Sequence, residues 1–304
     1  MSETREKDPV LAELIGALRA GDLSFEDPPA KLRADFEVTL SQIPVAEDLS
    51  FENVKLGDVS ALLSTSPGAA GDAALLYLHG GGFIGGSAQG YRGLSAELGR
   101  AIGVGAYSLD YRLAPEDVFP AAVEDAASAY QALLDKGFSP DRIVVAGDSA
   151  GGGLVMSLLV KLRDAGAPLP AAALAISPWA DLSCDTESFT TKASEDPALT
   201  AAGLRIAAAH YLNQTDPRDP LASPVFADLT GLPPLLIQVG SAEILLDDAV
   251  KLAGSAGAAG VKVKLDVWPD MPHVWHAFSF MLDSGRQAIE EAGAFLKNAI
   301  STKD

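Results

Sequence analysis

The sequence predicts an α/β fold, a mostly parallel sheet covered by helices on both faces and carrying a helical attachment. Three observations point to it. Short runs such as AALLYL, IVVA and LLIQV are apolar at successive positions, as strands buried on both faces must be. Longer stretches with apolar residues at helical spacing separate those runs. The two kinds alternate for most of the chain, which is how parallel strands joined by crossover helices read in sequence.

Taken in order, residues 1–50 carry helical spacing at Leu11, Leu14, Ile15 and Leu18, a break at Pro28-Pro29, and a second apolar pattern from Leu32 to Leu40. This reads as a helical attachment outside the sheet. The alternation then begins: a strand at Ala73 to Leu78, a helix from Tyr91 to Ile102, a strand at Val104 to Leu109 and a helix from Ala121 to Leu134. It continues with a strand at Ile143 to Ala146, a helix from Ala150 to Arg163 and a strand at Ala172 to Ile176. Between Asp181 and Leu229 it lapses into a loop-rich insertion with one helical run, Ala201 to Leu212. It resumes with a strand at Leu235 to Val239, a helix from Leu245 to Ala259, a strand at Val261 to Val267 and a last helix from Arg286 to Ile300. The two insertions are expected to meet above the sheet as a cap, with 1–50 and 182–228 contributing to it and 51–304 forming the catalytic domain.

Composition narrows the function. Among 304 residues there are 22 Lys and Arg against 41 Asp and Glu, a formal net charge of −19. No basic footprint exists to replace phosphate counterions, so a nucleic-acid partner is not expected. Cys184 is the one cysteine, so no intramolecular disulfide can form and a reducing, cytoplasmic setting is expected. The opening MSETREKD is charged, and no apolar run approaches the roughly 18 residues that would span a bilayer, so membrane insertion is not expected either.

Two motifs carry chemistry. GDSAG, Gly147 to Gly151, is a G-x-S-x-G between a β-branched strand and a helical pattern, the setting in which a sharp turn lifts a serine hydroxyl above the sheet. Ser149 at a helix start also places the free N–H of Ala150 and the helix dipole beside any oxyanion formed there. A serine that merely caps the helix is the plainer reading, and the strand before it argues against that. HGGGF, His79 to Phe83, follows another strand, and its glycines let the backbone turn N–H groups of Gly81 and Gly82 toward a ligand. Gly80, Gly82 and Gly85 also fit a dinucleotide G-x-G-x-x-G, but no helix opens at the glycines and the next strand ends at Asp110, later than that motif requires.

Of the four histidines, His79 belongs to the glycine motif and His210 to an Ala-rich helix in the insertion. His273 and His276 remain. His273 follows a strand through WPDMP, on a loop at the sheet edge where a base would serve Ser149, while His276 reads as opening the next helix. For the orienting acid, Glu243, Asp247 and Asp248 all follow the strand Leu235 to Val239. Glu243 falls in the loop, whereas the two aspartates read as solvated first-turn acids of a helix.

HGGG, YRLAPE (Tyr111 to Glu116), GDSAGG, SPWADL (Ser177 to Leu182) and a late MPH, in this order, resemble the hormone-sensitive-lipase family of α/β-hydrolases, chiefly its microbial esterases. The resemblance implies the α/β-hydrolase fold with a helical cap and a carboxylic-ester hydrolase that needs no cofactor and prefers short acyl chains. It implies a triad of Ser149, His273 and an acid. One branch of the family carries G-S-x-E at the acid turn, which Gly240 to Glu243 match and which implies Glu243. The oxyanion hole would be Gly81, Gly82 and Ala150. The expected partner is a small uncharged ester, and the family's frequent dimers admit a homodimer. An amidase or a metabolite deacetylase on the same machinery is the alternative, with a non-catalytic ligand receptor behind it. Of the remaining motif residues, Asp148 is expected to hold neighbouring loops, Arg112 and Glu116 to be buried partners, and Trp179 to be core.

Overall fold

The computed structural model describes residues 8–301, so the expectation for the first seven residues lies outside the described residues. Eight strands form one sheet: β1 (Ser50–Leu56), β2 (Val59–Thr65), β3 (Ala70–Leu78), β4 (Val104–Asp110), β5 (Ile143–Asp148), β6 (Ala172–Ile176), β7 (Leu235–Gly240) and β8 (Val263–Trp268). Their spatial order is β1-β2-β4-β3-β5-β6-β7-β8. The last six in that order run parallel, while β1 and β2 pair antiparallel with each other and β2 with β4. The central parallel strands β5, β6 and β7 are mostly apolar and buried at every residue because helices cover both faces, while the edge strand β8 (VKLDVW) is only partly buried.

The helices are α1 (Pro9–Ala20), α2 (Pro29–Ser41), α3 (Arg92–Ile102), α4 (Ala121–Asp135), α5 (Ala150–Asp164), α6 (Ser188–Thr191), α7 (Ala201–Leu212), α8 (Leu246–Ala258) and α9 (Asp283–Ser301). One set, α3 and α9, packs together over the sheet; another, α4 with α5, packs elsewhere on it, and α5 and α8 share the turn Pro224–Phe226. α5 is buried on nearly every position, which suits a helix enclosed by sheet, turn and neighbouring helix.

The strand order places the working edge. From β3 the chain crosses outward to β4, and from β5 it crosses the other way to β6, although β3 and β5 are neighbours. Loops leaving the carboxyl ends of β3 and β5 therefore diverge and open a crevice between them, the usual ligand position in open α/β sheets. HGGGF leaves β3 there and Ser149 leaves β5.

The N-terminal helices and the segment between β6 and β7 both lie against this edge. Leu11 and Leu14 of α1 cluster with Met271 and Trp275 of the loop after β8. Phe25, between α1 and α2, packs on Gly82 and on Gly203 of α7. Arg33 of α2 donates to the carbonyls of Ile84 (2.9 Å) and Ala114 (2.8 Å) and pairs with Glu116. Tyr211 of α7 stacks on Phe83 with ring centroids 3.9 Å apart.

Two readings are corrected. The sheet does not start at Ala73: the hairpin β1–β2 precedes it, turning at Gly57-Asp58 with Gly57 at φ +61°. Arg112 and Glu116 are not buried and not each other's partners. Arg112 is half exposed and pairs with Asp125 at 2.7 Å, and Glu116 reaches Arg33 instead. Proline at 115 turns the chain between them, so residues four apart do not share a helix face.

Candidate active site

β5 runs through Asp148, and Ser149 turns directly into α5 with φ 55° and ψ −123°, a conformation that costs a non-glycine residue energy and must be held by its surroundings. Two main-chain bonds, to the next strand and to the loop after it, hold it: Ser149 N–H donates to the Ile176 carbonyl at 2.8 Å, and the Ser149 carbonyl accepts from Trp179 N–H at 2.9 Å. The turn is tight because α5 crosses β3 closely. A Cβ at Gly151 would sit 2.0 Å from the Leu78 carbonyl oxygen, so no other residue fits.

His273 lies on the loop after β8. Its Nε2 is 2.9 Å from Ser149 Oγ, and its Nδ1 is 2.8 Å from Glu243 Oε2. The other Glu243 oxygen accepts from Gly240 N–H at 2.6 Å and from Ser177 Oγ at 2.7 Å. Ser177 Oγ in turn accepts from Val274 N–H at 3.2 Å. The carboxylate is thus fully buried and saturated, and Ser177 ties it to the histidine's own loop. Sequence reasoning missed Ser177, although it opens the SPWADL motif at the end of a buried strand.

Burial alone would lower the His273 pKa. The hydrogen bond and charge of Glu243, followed by the charges of Asp196 and Asp148, outweigh it and raise the imidazole above its ordinary value. His276 is a different case. It lies within the turn Trp275–Phe278, short of the last helix, and is buried with Nε2 2.9 Å from Gln238 Oε1. Burial and the neighbouring His273 push its pKa to about 3, so it stays neutral.

The glycine loop is fastened from below. Asp148 accepts from Gly80 N–H (3.0 Å) and from Tyr77 Oη (2.5 Å), and Tyr111 Oη donates to the His79 carbonyl at 2.7 Å. The His79 ring stacks against Tyr111 and Tyr91. Burial raises the Asp148 carboxyl to about 6 against these hydrogen bonds. Gly81 has φ +116°, and a Cβ there would meet the Gly85 carbonyl oxygen at 2.2 Å, so only glycine allows this loop. Among the described residues, no hydrogen bond is recorded to the N–H of Gly81 or of Gly82. Ala150, as the first residue of α5, has an N–H with no partner inside its helix.

Asp247 and Asp248 were expected as solvated acids, and here the structure disagrees. Asp248 is fully buried and accepts from the N–H groups of Ala180 and Asp181, both at 2.9 Å. Burial raises its carboxyl to about 8. Asp247 accepts from Ser188 N–H at 2.8 Å. Both fasten the segment after β6 to α8, and neither bonds His273. Trp179 is buried core, as expected.

A serine strained at a strand-to-helix turn thus stands in one hydrogen-bonded line with a histidine and a buried carboxylate, beside the glycine loop. Residues 75–277 match a family described as the alpha/beta hydrolase fold. An acetyl-hydrolase of Streptomyces hygroscopicus is 56% identical over 225 residues, covering 74% of this chain and 75% of the relative. An esterase of Acinetobacter venetianus is 35% identical over 222 residues, 73% of each chain. A solved structure of an esterase from the bacterial hormone-sensitive-lipase family superposes with TM-score 0.94 at 46% identity, covering 97% of this chain and 99% of that one. This chain belongs to the hormone-sensitive-lipase family of α/β-hydrolases.

Proposed function

We propose that the chain is a serine carboxylesterase working through an acyl-enzyme, with Ser149 as nucleophile, His273 as base and Glu243 as orienting acid. The hydrogen-bonded line from Ser149 Oγ through His273 to Glu243, with steps of 2.9 and 2.8 Å, is the observation that carries this reading. With its Nδ1–H given to Glu243, His273 presents Nε2 as acceptor for the Ser149 proton. The freed alkoxide attacks the ester carbonyl, and the N–H groups of Gly81, Gly82 and Ala150 receive the oxyanion. His273 passes the proton to the leaving alcohol. Water, deprotonated by the same imidazole, then attacks the acyl-Ser149 ester, and the imidazolium returns that proton to Ser149 Oγ as the acid is released.

Residues 1–50 and 182–228 are read as a cap over this centre. With Ser149 only 5% exposed, a substrate reaches it when these segments yield. Small uncharged esters fit such an enclosed site. Among the described residues no helix is long and apolar enough to cross a membrane. The buried, unpaired Cys184 fits a reducing compartment such as the cytoplasm.

The 56% identity to an acetyl-hydrolase favours acetyl as the acyl group, with removal of acetyl from a metabolite as a second reading. Ser149→Ala should lower hydrolysis of p-nitrophenyl acetate at least about a thousandfold and abolish labelling by a fluorophosphonate, with the fold retained. Undiminished turnover by that variant would refute the assignment. Comparing acetyl esters with acetamides of matching alcohol and amine skeletons separates an esterase from an amidase or N-deacetylase.

A further inference from the structure

The segment EDPALT, between β6 and α7, holds a carboxylate that the mechanism above does not use. Asp196 is buried. Its Oδ1 accepts from the N–H groups of Ala198 and Leu199, both at 2.9 Å, a local turn of the kind an aspartate forms wherever a helix is about to begin. Its Oδ2 does something no local turn requires. It reaches 48 positions along the chain to accept from Ile244 N–H at 2.9 Å. Ile244 is fully buried and directly follows Glu243. One oxygen therefore shapes the proposed cap, and the other grips the turn that carries the proposed triad acid.

We propose that Asp196 is a positioning residue of the hydrolytic centre. It pins the Glu243 turn from the proposed cap and keeps a second buried anion within electrostatic reach of His273. The inference rests on the assignment of Ser149, His273 and Glu243 above. Burial raises the Asp196 carboxyl above its ordinary value, and the charge of His273 together with three N–H donors limits that rise. Lys192, close by in the chain, pairs with Glu195, and Arg19 of α1 donates to the Ser194 carbonyl. Glu243, from the turn after β7, touches His273, and the charges of Asp196 from this segment and Asp148 from the end of β5 also act on it, while His276 of its own loop is neutral. When His273 takes the Ser149 proton, an imidazolium forms in a largely buried site, and each negative charge near it lowers the cost.

The geometry also links closure to competence. If the EDPALT segment lifts away, Oδ2 releases Ile244 N–H, and the turn holding Glu243 loses one of its fixed points. A centre so built is fully ordered only with the segment seated.

The test is the pH profile of Asp196→Asn, which keeps the size of the side chain and removes its charge. Neutralising the anion lowers the His273 pKa, so the acid limb of kcat/KM should move down by about one pH unit. On the plateau kcat should fall about tenfold while KM for p-nitrophenyl acetate holds, because the loss is made at the imidazolium stage. A merely structural residue would cost rate or stability without moving the limb. Asp196→Ser retains a local acceptor for Ala198 and Leu199 and should shift the limb in the same direction. An unmoved limb in a folded variant, or failure of both variants to fold, overturns the proposal and leaves Asp196 a structural residue. Retained activity in Ser149→Ala would instead remove the underlying assignment, so the two failures are distinguishable.

Discussion

Glu243, Asp247 and Asp248 stand within one short stretch, yet only Glu243 meets His273. Glu243 accepts from His273, Asp247 from Ser188 N–H, and Asp248 from two N–H groups of the turn after β6. Glu243→Gln should therefore lower kcat at least about a hundredfold, because an amide facing Nδ1–H favours the wrong tautomer. Asp247→Asn and Asp248→Asn should leave kcat within about twofold, and a reversed ranking in steady-state assays would overturn the choice of acid. Asp248 adds a pH signature. Its carboxyl is raised to about 8, so the folded state holds the proton, and the stability this site contributes at low pH is lost as pH rises toward that value. Asp248→Asn, which stays neutral, should flatten the decline of Tm between about pH 5 and pH 8. That Glu243 lies within reach of His273 was legible because its loop position and its four-residue motif agreed. The burial of Asp248 was not legible, since a rule about helix dipoles fixes which position favours an acid and says nothing of what the sequence-distant turn at Ala180 brings to it.

At the scale of elements, the parallel strands and their helices were legible because each buries an unbroken apolar run or an apolar stripe, a signal carried by the element itself. The β1–β2 hairpin escaped because SFENVKL is half exposed and alternates weakly, leaving the Gly57-Asp58 turn as its clearest mark. The role of α2 was also out of reach, since it is fastened by what Arg33 meets across the fold. That guanidinium holds the carbonyls of Ile84 and Ala114, and Ile84 belongs to the loop that bears Gly81 and Gly82. The ion pair with Glu116 is largely solvent-exposed and contributes little by itself, on the order of 0.5 kcal/mol. The two carbonyl bonds matter more, because Ile84 and Ala114 are fully buried and would lose their donors. Arg33→Ala should raise KM about fivefold with kcat within about twofold, reporting a loosened glycine loop and cap. Equal KM values for the variant and the unaltered chain would show that α2 plays no part in binding.

Across the whole molecule the charge is uneven as well as large. The first 50 residues hold 11 acidic and five basic side chains, whereas residues 251–304 hold six of each. The histidine loop thus lies in neutral sequence, and the acidic excess gathers where the proposed cap begins. Part of it is locally neutralised, since Lys31 bridges Asp27 and Asp35. The remainder sets up a negative field around the proposed route past the cap, whereas the carboxyl groups of Glu243 and Asp196 are buried. An anionic ester approaching along that route is repelled at a distance and a neutral one is not. Discrimination should therefore appear as an ionic-strength effect on kcat/KM, because salt shortens the reach of surface charge and leaves buried contacts nearly untouched. A neutral short-chain ester should outpace a negatively charged ester of the same acyl group by about tenfold at roughly 10 mM salt, and the ratio should shrink severalfold at about 0.5 M. A ratio that ignores salt would place the discrimination inside the site, in the fit of Gly81, Gly82 and their neighbours, and would leave the acidic surface without a part in choosing substrates.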